Sequence, residues 1–126
     1  MKKAITIGII TLVAIGGLVA WGVYESKKPG KYDVLAQCIN DSGAQFYGAF
    51  WCPHCANQKK MFGTSQKLLP YIECSTPDGK GKLPICEEAG ITGYPTWRFP
   101  DGTELGGEVS REVLSEKTMC PLPEEV

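Results

Sequence analysis

The stretch Gln45-Phe46-Tyr47-Gly48-Ala49-Phe50-Trp51-Cys52-Pro53-His54-Cys55 decides the fold. Its first part is an apolar and aromatic run of the kind that forms a buried strand, and it ends in two cysteines three positions apart. Proline is favoured at the first position of a helix, so the chain is expected to enter a helix at Pro53. Cys52 then falls at the N-cap, facing unpaired backbone N–H groups and the positive end of the helix dipole, which favours its thiolate. Cys55 lies one turn on, on the same face, shielded from solvent yet within reach of Cys52. Cys52 is thus expected to be the attacking sulfur and Cys55 the resolving one. A partly cationic His54 would favour the thiolate further, stabilising the reduced form and making the disulfide a stronger oxidant. The bland alternative for His54 is a surface residue in a turn.

Working outward, helical spacing of Val34, Leu35, Cys38 and Ile39 predicts a helix over Tyr32 to Ser42, stopped by Gly43. Ala44 to Phe50 is the strand already described, and the helix from Pro53 is expected to reach about Phe62 before Gly63 ends it. Leu68 to Cys74 predicts a second strand, restricted by Pro70 to an edge or to its own first turn. Ser75 to Lys82 is a loop of turn formers, followed by a short helix over Leu83 to Ala89. Tyr94 to Phe99 predicts a third strand, and Pro100-Asp101-Gly102 turns it back so that Thr103 to Leu105 pairs as a hairpin. Ser110 is placed to cap a final helix through about Met119. This order predicts an α/β domain, a mixed sheet with helices on both faces.

With 126 residues, the chain has room for one domain of roughly ninety residues beyond an apolar N-terminal quarter. The divisions expected are a basic tail 1–3, an apolar span 4–23, a linker 24–31, the domain 32–120 and a tail 121–126. The net charge of -1 with interspersed lysines and glutamates excludes the concentrated basic surface that nucleic-acid binding requires. Ala4 to Val23 is uncharged and about 30 Å long as a helix, which matches a bilayer core. A cleaved signal is the competing reading, given Lys2-Lys3 and the small residues near Trp21. The run exceeds the usual ~7–15 residues of a signal core, and Trp21 and Tyr24 sit where interfacial aromatics would, so an uncleaved anchor is expected. Flanking lysines slightly favour a cytoplasmic domain, but the four cysteines beyond the C-x-x-C pair overrule them and favour an oxidising, extracytoplasmic one.

The same C-x-x-C spacing serves zinc, but a structural zinc site takes four ligands, and here there is no second C-x-x-C and a single histidine wedged between the thiols. A dithiol with neither metal nor cofactor is expected.

Phe50-Trp51-Cys52-Pro53-His54-Cys55, Gly90-Ile91-Thr92-Gly93-Tyr94-Pro95-Thr96, Gly102 and Gly106-Gly107 together resemble the thioredoxin-like fold over about Tyr32 to Cys120. More narrowly, FYGAFWCPHC, the Cys74 to Cys86 loop, ITGYPTW and Cys120 are similar to the thioredoxin-like domains associated with bacterial and plant vitamin K epoxide reductase homologues. The resemblance implies that Pro95 is cis and packs against the dithiol, and that Tyr94 and Pro95 form the edge along which a substrate segment lies by strand addition. Trp51 would stand at the rim, whereas Trp97 reads as ordinary sheet packing. It also implies an extracytoplasmic protein thiol-disulfide oxidoreductase, exchanging disulfides with exported cysteine-containing proteins and reoxidised by a separate, quinone-linked vitamin K epoxide reductase-like membrane protein. Thioredoxins carry a buried acid six residues before the first thiol, and this chain has Phe46 there. Efficient reductase activity is thereby disfavoured, although Glu73 could stand in from a neighbouring strand.

Cys38, Cys74, Cys86 and Cys120 allow three pairings. Cys74 with Cys86 is favoured because the loop between them is polar and rich in Gly and Pro, leaving Cys38 to tie the first domain helix to Cys120. Such bridges are staples in a small exported domain, or one of them, with Cys74–Cys86 the better choice, relays electrons. Rival readings of the whole are a reductant of exported disulfides of the cytochrome-maturation type, and a non-catalytic binding module with an inert Cys52–Cys55 bridge.

Overall fold

Strand β1 (Gln45–Gly48) lies inside a four-stranded sheet in the computed structural model, which describes residues 1–124. Phe46, Tyr47 and Gly48 are all buried, as in a strand covered on both faces. β2 (Tyr71–Glu73) runs parallel to it, with Phe46 opposite Tyr71 and Gly48 opposite Glu73. On the other side β3 (Thr96–Arg98) is antiparallel to β1 and forms a hairpin with β4 (Glu104–Gly106), giving the order β2-β1-β3-β4. A parallel pair needs a crossover; α3 (Pro53–Lys60) and a 3-10 helix (Gly63–Leu68) provide it. Pro70 is tolerated because β2 is an edge strand.

The expected α/β class, a mixed sheet flanked by helices, is the observed one. The remaining helices are α2 (Asp33–Asp41), α4 (Pro84–Glu88) and α5 (Arg111–Thr118), the last capped by Ser110, whose hydroxyl accepts the Val113 N–H at 3.2 Å. Observed strands are shorter than the apolar runs that announce them. Ala44 and Phe50 lie outside β1, and Tyr94, Pro95 and Phe99 outside β3. The 3-10 helix was not expected, because a run of polar residues after Gly63 carries no helical periodicity. In α2 the buried stripe is Leu35, Ala36 and Ile39, while Val34 is 72% exposed. Val34 instead edges a shallow groove with Leu68 and Cys38.

α1 (Lys2–Ser26) precedes the domain, 25 residues long with none of them buried, and its most apolar 18-residue stretch has a mean hydropathy of 2.2. It is long and apolar enough to cross a membrane. It overruns the expected span 4–23 at both ends, and its C-terminal end carries a Glu25–Lys28 ion pair at 2.6 Å. The first three linker residues are therefore helical. Of the tail 121–126, residues 125 and 126 lie outside the described part, and Glu124 is exposed.

The main core is built on Phe46, which stacks on Trp97 with ring centroids 4.7 Å apart and meets Tyr71 edge-on at 5.1 Å. Gln58, fully buried in α3, ties this core together. Its amide donates to the Val109 carbonyl at 2.9 Å, and its carbonyl accepts from Val109 N–H at 2.7 Å and from the Trp97 indole at 3.2 Å. Every polar atom of that buried side chain is matched, which lets a glutamine replace an apolar residue there. A smaller core of Tyr47, Cys74, Cys86 and Ile91 lies beside it.

Candidate active site

Cys52 is the N-cap of α3 with extended backbone angles, and Pro53 opens the helix. The N-cap sulfur does what an oxygen does at that position, accepting the Cys55 N–H at 3.4 Å. Both cysteines are thiols in this structure. Cys52 is 5% exposed and Cys55 1%, so the first is barely reachable and the second is covered.

What covers Cys55 is the sheet. A β-carbon added to Gly48 would lie 2.9 Å from Cys55 Sγ and 2.8 Å from Tyr71 Cε2, so only glycine lets α3 settle this close to β1. Burial pushes the Cys55 thiol up to about 12, helped by its hydrogen bond with Cys52, while Lys59 one turn along α3 acts weakly in the opposite direction. Cys55 is held as a neutral thiol behind Cys52.

The Tyr94–Pro95 peptide is cis. Cys52 Sγ points at the Tyr94 carbonyl at 3.8 Å, which places the thiol against this corner of the chain. Pro95 is itself fully buried, and its carbonyl accepts the Gly107 N–H at 2.8 Å. Trp51 meets Tyr94 edge-on at 6.0 Å, so Trp51, Cys52, Tyr94 and Pro95 are brought together. His54 is exposed on the outer face of α3, with its Nδ1 3.5 Å from the Glu108 carboxylate.

Three further residues bear on the site, of which only Glu73 was anticipated from the sequence. Glu108 follows the Gly106-Gly107 pair and becomes a partner of His54 only in space. Glu73 does approach the site, as a residue opposite Gly48 must, but its oxygens are engaged: they accept the N–H groups of Phe50 at 3.2 Å and Ser75 at 2.9 Å, and the Tyr71 hydroxyl at 2.8 Å. It is a hub of the strand end rather than an acid directed at Cys55. Burial and the adjoining Glu73 carboxylate push the Tyr71 phenol upward. Ser75, the third, accepts the Trp51 indole N–H at 2.9 Å.

The remaining cysteines form Cys38–Cys120 and Cys74–Cys86. Cys74 and Cys86 are both fully buried, in the smaller core with Tyr47 and Ile91. Cys38 is partly exposed at the groove beside α2. Among the described residues no cluster of three or more His, Cys, Asp or Glu side chains is placed to hold a metal ion.

No protein-family model matches the chain. It is 47% identical over 89 residues, 67% of its own length, to the thiol-disulfide oxidoreductase LTO1 of Arabidopsis thaliana. The chain spans 23% of the length of that curated relative.

Proposed function

We propose that this chain is a membrane-anchored thiol-disulfide oxidoreductase of the thioredoxin-like kind, working on exported cysteine-containing proteins. The observation that carries the reading is Cys52 at the mouth of α3, against the Tyr94 carbonyl, with Cys55 sequestered behind it. Likeness to a relative named for that activity supports it. In the oxidising direction a client thiolate attacks Cys52 of the Cys52–Cys55 disulfide, Cys55 leaves and takes up a proton, and a mixed disulfide joins client to Cys52. The client's second thiolate then displaces Cys52, which takes up the second proton. Two electrons and two protons pass from client to protein.

Two closed bridges in so small a domain support an oxidising compartment, hence an extracytoplasmic domain held to the membrane by α1. Reoxidation of the dithiol is assigned to a quinone-linked vitamin K epoxide reductase-like membrane protein. Phe46 in the place of a buried acid, and a Glu73 committed to other donors, favour disulfide donation over reduction. Cys55→Ser in the full chain is the test, because it removes the resolving sulfur and leaves Cys52 able to hold a client. Mass spectrometry should find exported proteins, and the membrane oxidase, joined through Cys52. A trap that returns only cytoplasmic proteins, or nothing while Cys52 still alkylates, would refute the proposal. A redox potential near that of thioredoxin, about -270 mV, would point to the reductant instead.

A further inference from the structure

Phe50 and Trp51 immediately precede a nearly buried nucleophile and are themselves 58% and 52% exposed. Two large adjacent aromatic rings left in water beside a reactive sulfur invite an explanation, since a neighbouring apolar patch commonly marks a contact surface. Trp51 is not a loose surface side chain. Its indole N–H is taken by Ser75 Oγ at 2.9 Å, Tyr94 meets it edge-on, and Ser75 Oγ in turn donates to the Thr76 carbonyl at 2.9 Å. The Phe50 backbone is fixed from the same side by Glu73.

The loop that follows supplies a wall. Ser75 pairs with Lys82 across its base, the Thr76 side chain bonds to Asp78 and Gly81, and Gly79, at φ +73, turns the tip. A β-carbon at Gly79 would sit 3.6 Å from Trp51 Cδ1 and 3.8 Å from Phe50 Cζ, so the loop tip lies beside both rings. The buried Cys74–Cys86 bridge joins the residue before this loop to α4 just after it.

We propose that the loop closed by Cys74–Cys86, acting through Ser75, holds Phe50 and Trp51 as a rigid apolar platform that recognises an apolar side chain flanking the client cysteine. The inference rests on the exchange reaction above and adds its client preference. The occupant is an extended protein segment, because the two exposed rings immediately precede Cys52, where the residues flanking a client cysteine come to lie when its sulfur reacts. Rigid aromatic anchors lose little conformational freedom on contact, so locking Trp51 in advance converts its area into affinity. Ser75 is a positioning residue: it touches neither client nor reacting sulfur.

The test compares rates of oxidation by the full chain in detergent micelles, with oxidised glutathione restoring its Cys52–Cys55 disulfide and the uncatalysed rate subtracted, for two synthetic dithiol peptides, one with leucine and one with glycine beside the first cysteine, and for dithiothreitol. The leucine peptide should react about tenfold faster than the glycine peptide, the difference residing in KM. Ser75→Ala should reduce that preference three- to tenfold, measured as the ratio of peptide to dithiothreitol rates, and loosen Trp51 as judged by fluorescence anisotropy. Ser75→Thr, which keeps the hydroxyl, should restore it. Equal rates for the two peptides with normal dithiothreitol turnover would overturn the platform and leave the exchange reading intact, as would an unchanged preference in Ser75→Ala. A Cys52–Cys55 bridge inert to peptides and dithiothreitol alike would overturn both.

Discussion

Cys52–Cys55 and Cys74–Cys86 are two cysteine pairs buried almost equally in the same small domain, yet one is a dithiol and the other a closed bridge. Burial does not separate them; their surroundings do. Cys52 caps an eight-residue helix, has an exposed aromatic rim in front of it and a carbonyl beside it. Cys74 and Cys86 sit in a satellite core of Tyr47 and Ile91, with Cys86 in a helix of five residues. A reactive pair needs one sulfur at an edge, and a brace needs both away from it.

If that division holds, removing a brace should cost stability and removing an active thiol should cost exchange. The largest loss of stability is expected from Cys38→Ser with Cys120→Ser, whose bridge spans 82 residues. The chain-entropy relation gives about 4.5 kcal/mol for a loop of that size. Cys74→Ser with Cys86→Ser closes a separation of only 12 residues and should lose about 3 kcal/mol. Urea unfolding of both double variants in micelles would show the order. The braces would lose their assignment if either variant kept its stability but no longer formed a mixed disulfide at Cys52.

Gln58→Ala should come next, at about 2 to 3 kcal/mol, because Trp97 Nε1 and both backbone groups of Val109 lose their partner inside the core. The same variant sharpens the comparison. Gln58 is three residues beyond Cys55, so its loss should also loosen α3 and speed alkylation of Cys55, with no effect on Cys74–Cys86. Unfolding midpoints and alkylation rates report the two consequences separately.

The parts of this structure that were legible in the sequence are those carried by local chemistry. Cys52-Pro53 announces a helix start, Pro70 an edge strand, Pro100-Asp101-Gly102 a hairpin, and Ser110 a cap, since each acts on its own few neighbours. Gln58 reads as a solvent-facing residue of a polar helix, because its partners Trp97 and Val109 lie 39 and 51 positions away. Val34 sits in an apolar phase of α2 but at the border of the stripe, where one residue of rotation decides burial. Ser75 and Glu108 acquire their roles only when β2 and the segment after β4 are brought to the start of α3. Long-range hydrogen bonds leave no periodic trace.

A smaller effect separates the two pairs by pH. In the reduced protein the Cys55 thiol is raised from 9.0 to about 12, so above pH 9 the unfolded chain releases a proton that the folded chain retains. Folding of the dithiol form should therefore weaken as pH rises, by about 1.4 kcal/mol per unit between these values, and be indifferent to this group below pH 9. The Cys52–Cys55 disulfide has no such proton, so the oxidised form should lack the slope. Parallel stability curves for the two forms from pH 8 to 11 would remove the buried-thiol assignment.

The smallest effect is expected at the rim of the reactive pair. Glu108 places a carboxylate 3.5 Å from His54 Nδ1, and both groups are partly in water. A negative charge so near the start of α3 opposes negative charge on the Cys52 sulfur in the reduced form and competes for the histidine. Glu108→Gln removes that opposition, so the reduced form should gain and the disulfide become a slightly stronger oxidant. Screening limits the change to about two- to threefold in the equilibrium constant with glutathione. Raising the salt to about 1 M, where the screening length is near 3 Å, should erase most of it. A shift in the opposite direction would mean that Glu108 acts by holding His54 in place, so that its main influence on the dithiol is through position and only secondarily through charge.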